Sequence, residues 1–356
     1  MKSVLFLALP TLALLLAETV VSQELGQSVP LPRPKNWEQT DLPIAAIAGT
    51  VICESTSGIY LRLLQAKQLW TQAPFRILQL DGKSIEIDPK TATTPPGPVI
   101  ATAYNVDLNG NLYATIQVGR SAQWYVASFD KSGHFTGKTA LSETFNPSFI
   151  LPISKGRFVI GGVKPKTTAE QMHTSSLVAI FDPSGNVLKS LSLPDDDAEE
   201  EVTKQVVPNH IFYSVYNRAI EMGRAVLGPD GNIYIFRAFS QPKVQILDPE
   251  GNLLRVTSLV PSASGSWPTN FYVFGDSIAV GYLMSKREDV CLTEGNFTLY
   301  SPVSGRILHN YLIPLGPQLL VCAQNHSLVY FNAAHGDTHY QVGRIVIPAD
   351  SDGQLP

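Results

Sequence analysis

The sequence predicts an all-β fold: a six-bladed β-propeller of four-stranded antiparallel blades, its ring closed by an N-terminal strand. Three observations predict it. One turn-then-strand unit recurs, as Asp107-Leu-Asn-Gly-Asn111, Asp182-Pro-Ser-Gly-Asn186, Pro229-Asp-Gly-Asn232 and Asp248-Pro-Glu-Gly-Asn252. Short apolar runs flank each copy. Glycine and proline number 26 each, more than a helical protein tolerates. A unit repeated at a fixed spacing is one supersecondary piece that buries its apolar faces by stacking on its neighbours.

The turn chemistry is specific. In Asp182-Pro183-Ser184-Gly185 and Asp248-Pro249-Glu250-Gly251 the carboxylate leads, proline presets φ at the second position, and glycine closes. That order suits a type I turn. The runs on either side, Leu177–Phe181 with Val187–Leu191 and Lys243–Leu247 with Leu253–Thr257, make these turns hairpins. A calcium loop of the EF-hand kind needs oxygen ligands at alternating positions and a late Glu, which these turns lack.

In chain order, residues 1–22 read as a secretory signal. Lys2 precedes an apolar run, Val4 to Leu16, and Val20 and Ser22 fit the small-residue rule before a cut. That run is too short to span a bilayer comfortably, and no later segment approaches a span. Residues 23–40 form a proline-rich lead-in expected to be extended and mobile. Residues 41–348 are the propeller, and 349–356 a tail.

Each blade is expected to run through strands A to D from the centre outward. Blade 1 takes 50–54, 59–64, 75–80 and 84–87. Blade 2 takes 99–104, 112–118, 124–129 and 135–141. Blade 3 takes 149–153, 157–163, 177–181 and 187–193. Blade 4 takes 224–227, 233–239, 243–247 and 253–260. Blade 5 takes 271–274, 277–283, 297–300 and 306–313. Blade 6 takes 319–322, 328–332 and 340–347 and lacks a fourth strand. The segment Asp41–Ile47 is left over, and pairing beside the last strand would close the ring and remove its open edges.

The Asp-x-x-Gly-Asn-Leu/Ile-Tyr unit resembles the six-bladed propellers of the NHL, gluconolactonase-like and TolB-like group, over about residues 41–348. The resemblance implies the fold, not an activity. Gluconolactonase-like enzymes carry a Glu-Gly-Pro metal-ligand motif and a later Pro-Asn-Gly. Here Glu54 is followed by Ser-Thr, and Pro208-Asn209 by His210.

Alternating strand direction sorts the connections. A→B and C→D turns emerge on one face and are short. B→C and D→A connections emerge on the other and are long: 65–74, 164–176 and 284–296, with 90–98, 194–223 and 261–270. Long loops on a rigid scaffold are where binding residues gather. By position, the ligand-binding candidates are Asn146, Arg224, Asn270 and Gln318 on inner strands, with His210 and Trp267 in nearby loops. The loop 194–223 carries the acidic run Asp195–Glu201, read as a solvated block.

His335-Gly-Asp-Thr-His339 is the one compact cluster of metal-ligand types. On an extended strand two histidines four apart share a side, but a catalytic zinc takes three protein ligands, and the Gly-Asp-Thr centre also reads as a hairpin turn. Ser128…Lys131 lies on a strand entering a turn, not at the start of a helix, and there is no Gly-x-Ser-x-Gly elbow. Asn296-Phe-Thr298 and Asn325-His-Ser327 are sequons only if the host glycosylates its exported proteins. Three cysteines, Cys53, Cys291 and Cys322, permit one bridge at most and read as small buried hydrophobes.

A net charge of −4 argues against nucleic acid as a partner. The expectation is a secreted or periplasmic binding module for a protein or small-molecule ligand, without a cofactor. The alternative is a metal-dependent hydrolase or lyase with its site at the central channel.

Overall fold

The structure is a computed structural model that describes residues 29–30, 37–43, 46–54, 58–64, 70–78, 84–93, 97–119, 121–164, 175–191, 223–238, 241–260, 266–274, 276–284, 294–313, 319–324, 327–333 and 339–346. The expected leader 1–22 and tail 349–356 lie outside them.

Two strands, β1 (Val29–Pro30) and β2 (Trp37–Pro43), precede the first blade. That blade is β3 (Ala46–Glu54), β4 (Gly58–Leu64), β5 (Phe75–Leu78) and β6 (Ser84–Ile87). The next holds β7 (Val99–Val106), β8 (Leu112–Val118), β9 (Trp124–Phe129) and β10 (Phe135–Ala140). Then come β11 (Asn146–Ile153), β12 (Arg157–Lys164), β13 (Ser175–Phe181) and β14 (Val187–Ser190). They are followed by β15 (Arg224–Leu227), β16 (Ile233–Arg237), β17 (Lys243–Leu247) and β18 (Leu253–Ser258). The next group is β19 (Ser266–Phe274), β20 (Ser277–Met284), β21 (Glu294–Tyr300) and β22 (Ile307–Ile313). The last strands are β23 (Leu319–Gln324), β24 (Ser327–Ala333) and β25 (His339–Val346).

The fold is an all-β propeller of four-stranded antiparallel blades. Five sheets have four strands, one of them ordered β2-β25-β24-β23. The remaining sheet departs from the expected pattern: β1 adds parallel to the outer edge of β22, giving five strands in the order β1-β22-β21-β20-β19. The first strands of successive sheets touch, β3 on β7, β7 on β11, β11 on β15, β15 on β19, β19 on β23 and β23 on β3. The strand beside β25 is Trp37–Pro43, starting earlier than the expected 41–47, because Ala46 already pairs with Leu64 in the first blade.

Blades stack face to face, so the core is a set of apolar layers between sheets. One layer joins Tyr60, Phe75 and Ile77 to Ala101, Leu112 and Phe129. A second joins Trp124 and Val126 to Ile160 and Phe181. A third joins Val159 and Ile180 to Ile233 and Leu247, and a fourth Tyr234 and Phe236 to Phe271, Val280 and Tyr300. A second strand is therefore covered on both faces, and all five residues of β16 are buried. Outer strands meet solvent, and five of the six residues of β18 are exposed. Phe236 stacks on Phe271 at 4.9 Å between centroids, a contact worth about 0.5–1.5 kcal/mol beyond its area.

The repeated turns close on themselves. At Asp248 the Gly251 N–H donates to the Asp248 carbonyl (2.9 Å), and Oδ1 accepts from the Asn252 backbone N–H (2.7 Å). Asn252 Nδ2 donates to Oδ2 at 2.8 Å. Asp107 and Asp182 repeat this geometry with Asn111 and Asn186. The carboxylate's bonds thus go to the turn itself, which is why Asp and Asn recur four apart.

Two expectations are corrected. Ser266 already pairs with Met284, so Trp267 lies in strand β19 rather than in the loop before it. Asn296 lies in β21 at 4% exposure, so its sequon is closed to a glycan in the folded chain. Asn325 lies outside the described residues. Among the described residues, no helix is long and apolar enough to cross a membrane.

Candidate functional site

Side chains alternate along β15. Ala225 and Leu227 pack on the layer shared with β12 and β13, while Val226 packs on the layer shared with β19 and β20. Arg224 shares the face of Val226 and so points toward β19. It opens its inner strand directly after the longest D→A connection. Its Nη1 donates to the carbonyl of Gly223 at 2.7 Å. Its Nε is buried and, among the described residues, has no partner.

Two tyrosines lie within electrostatic reach of this guanidinium. Tyr104 comes from β7 and Tyr272 from β19, and each feels the charge of Arg224. Three sheets thus converge, as they can where inner strands meet around the propeller axis. Burial pushes the phenols of Tyr104 and Tyr272 well above their ordinary range, so both stay protonated at neutral pH. Burial lowers Arg224, against the opposing pull of the two tyrosines. Among the described groups, no carboxylate acts on it.

A second guanidinium, Arg62 on β4, also acts on Tyr104. It is 1% exposed, and burial lowers its pKa to about 10. Its own needs are met structurally. Nη1 donates to Ala101 O at 2.7 Å, Nε and Nη2 donate to Ala73 O at 3.2 and 2.9 Å, and the group sits 4.8 Å from the Phe75 ring centroid. Arg62 thus ties the first blade to the second and adds positive potential at Tyr104.

The other candidates scatter. Asn146 opens β11 opposite Val163 and is exposed. Asn270 is half-buried in β19 opposite Gly281. Trp267 pairs with Leu283 through its backbone. His210, Gln318 and His335 lie outside the described residues. His339 opens β25 opposite Pro43, while β24 ends at Ala333, so the two histidines do not share one described strand. Among the described residues, no three His, Cys, Asp or Glu side chains are grouped to hold a metal.

Arg62 and Tyr104 were missed from sequence. The available signal was a lone arginine inside the apolar run Ile59–Leu64. A cavity of about 450 Å3 opens on the short-turn face, opposite the expected one. Pro229, Asp230, Tyr234, Asp276 and Ser277 are among its lining residues. Asp230 accepts from Tyr234 Oη at 2.9 Å and from Asn232 Nδ2 at 2.7 Å, which engages it within its own turn.

No family model matches the chain, and no curated protein matches it. Among solved structures it is similar to a protein of unknown function from Bacteroides caccae, at 11% identity and TM-score 0.43, over 80% of this chain and 86% of that one. It is also similar to a candidate gluconolactonase, at 10% identity and TM-score 0.48, over 88% of this chain and 94% of that one. Neither likeness bears on activity. The chain is a β-propeller whose inner strands place a half-buried guanidinium within electrostatic reach of two protonated phenols.

Proposed function

We propose that this chain is an exported binding module, a sixfold propeller that holds its ligand at the central channel on the face of the long B→C and D→A connections. In this reading the five-stranded sheet is the sixth blade with β1 appended, and β2 closes the ring by pairing beside β25. The contact of β23 with β3 and the pairing of Trp37 with Gly343 support closure. The observation that carries the binding reading is Arg224, a half-buried cation within electrostatic reach of two phenols on inner strands, whose Nε is buried and unpartnered among the described residues. Buried polar groups are ordinarily paired, so an unpaired donor marks a place for something else.

Thermal melts of the exported, purified chain against carboxylates, neutral sugars and amines test the proposal. The expected result is a saturable rise in Tm with one class, no turnover of that compound by chromatography, and an N-terminus starting after Ser22. A stoichiometric divalent ion surviving dialysis, together with turnover, would replace this reading by the metal-dependent hydrolase or lyase.

A further inference from the structure

We propose that Asn109 is a site of spontaneous deamidation, held in check by its own turn and by the neighbouring blade. Asn109-Gly110 is the one Asn-Gly pair in the chain. The other copies of the repeated turn put Ser184, Asp230 and Glu250 before the glycine. Asn109 is exposed at the tip between β7 and β8, while Gly110 is buried. The reaction needs only water. The Gly110 backbone nitrogen loses its proton and attacks Cγ of Asn109; the N–Cγ bond forms, the Cγ–Nδ2 bond breaks, and ammonia leaves. Water then opens the cyclic imide at either carbonyl. The product is an aspartate or an isoaspartate, the latter with one extra methylene in the main chain, and nothing is oxidised or reduced. Glycine offers no Cβ to obstruct the attack.

The folded turn withholds the nucleophile. The Gly110 N–H donates to the Asp107 carbonyl at 3.0 Å, and the Asn109 N–H donates to Asp107 Oδ1 at 2.9 Å. The Gly110 carbonyl accepts from the hydroxyl of Tyr60, a fully buried residue of the first blade, at 2.8 Å. With both of its peptide groups bonded, Gly110 can turn its nitrogen onto Cγ only when the turn opens. The rate is then that of the open chain multiplied by the fraction of time the turn is open. The product works against the fold. A new carboxylate arrives beside that of Asp107, and an isoaspartate lengthens the backbone and draws the Gly110 carbonyl off Tyr60. Deamidation thus loosens the seam between the first two blades. The turn lies on the short-turn face, so this site and the ligand face proposed above stand or fall separately.

Purified chain incubated at mildly alkaline pH, in buffer and in concentrated guanidinium chloride, provides the test, read by peptide mapping with mass spectrometry and by isoaspartyl content. In denaturant, deamidation should appear at Asn109 ahead of every other asparagine. In buffer it should be at least about tenfold slower at the same residue. Tyr60→Phe, which removes one bond to the turn, should speed the reaction in buffer by roughly two- to tenfold and leave the denaturant rate unchanged. The deamidated fraction should melt below the parent, and Asn109→Ser should abolish the signal. If Tyr60→Phe does not fold, the comparison of buffer with denataurant on the parent chain still decides. Another asparagine reacting first in denaturant, or none reacting, overturns the site. Equal rates in buffer and denaturant, or a folded Tyr60→Phe that reacts no faster than the parent, overturn the restraint.

Discussion

Gly185 and Gly231 both close a turn at positive φ, +86° and +78°, yet they face different surroundings. At Gly185 the carbonyl accepts from the Ser142 N–H at 2.8 Å, and a Cβ would lie 1.9 Å from the Ala140 carbonyl oxygen on the preceding blade. At Gly231 a Cβ meets nothing within 4 Å. Left-handed backbone alone costs a non-glycine residue about 1–2 kcal/mol. Gly231→Ala should therefore lose about that much stability. Gly185→Ala should lose about 2–4 kcal/mol, because the blade contact must also open. Urea unfolding of the two variants decides the matter, and equal losses would mean that this turn does not lock its neighbour. Gly305 repeats the device, with a Cβ 1.9 Å from the Ser258 carbonyl oxygen.

The hairpin turn is an element with its own pH response. The backbone N–H groups of His134, Asn186 and Asn252 hold the carboxyls of Asp130, Asp182 and Asp248 below the ordinary value of 3.8. Groups depressed in the folded state stabilise it fully above their unfolded pKa and lose that contribution as pH falls through the folded one. Stability should hold from neutrality down to about pH 4 and decline below it. Urea midpoints measured from pH 6 to pH 3 check this. Asp248→Asn should lower the neutral-pH midpoint and flatten its acid slope, and a slope like the parent's would mean the turn carboxylates do not carry the effect. The turns were legible in the sequence because each is a local arrangement of five residues. Strand bounds were legible for the same reason: short apolar runs between local turns mark them, and Leu112–Val118 and Trp124–Phe129 appear as read.

At the scale of the molecule, the segment ahead of the first blade spans two sheets. Val29–Pro30 lies parallel on Tyr311–Leu312, and Trp37–Gln39 pairs with Gln341–Gly343. Removing residues up to 43 would leave β25 as the bare edge of a three-stranded sheet, and bare edges recruit other strands. The truncated chain should melt at a lower temperature and associate with rising concentration in light scattering. An unchanged monomer with an unchanged Tm would show that β2 contributes no closure.

The sequence by itself determined the hairpins, their turns and nearly every strand. Each of these depends on neighbours a few residues apart. Only the tertiary structure decided which polar side chains meet. Arg224 was named from its place at the start of an inner strand, but the tyrosines that feel its charge, Tyr104 and Tyr272, are 120 and 48 residues away in sequence. Asn146, named on the same ground, ends up exposed. Strand position places a residue near the axis, but the direction of its side chain depends on the pleat and on how neighbouring sheets stack, and no local pattern encodes that stacking.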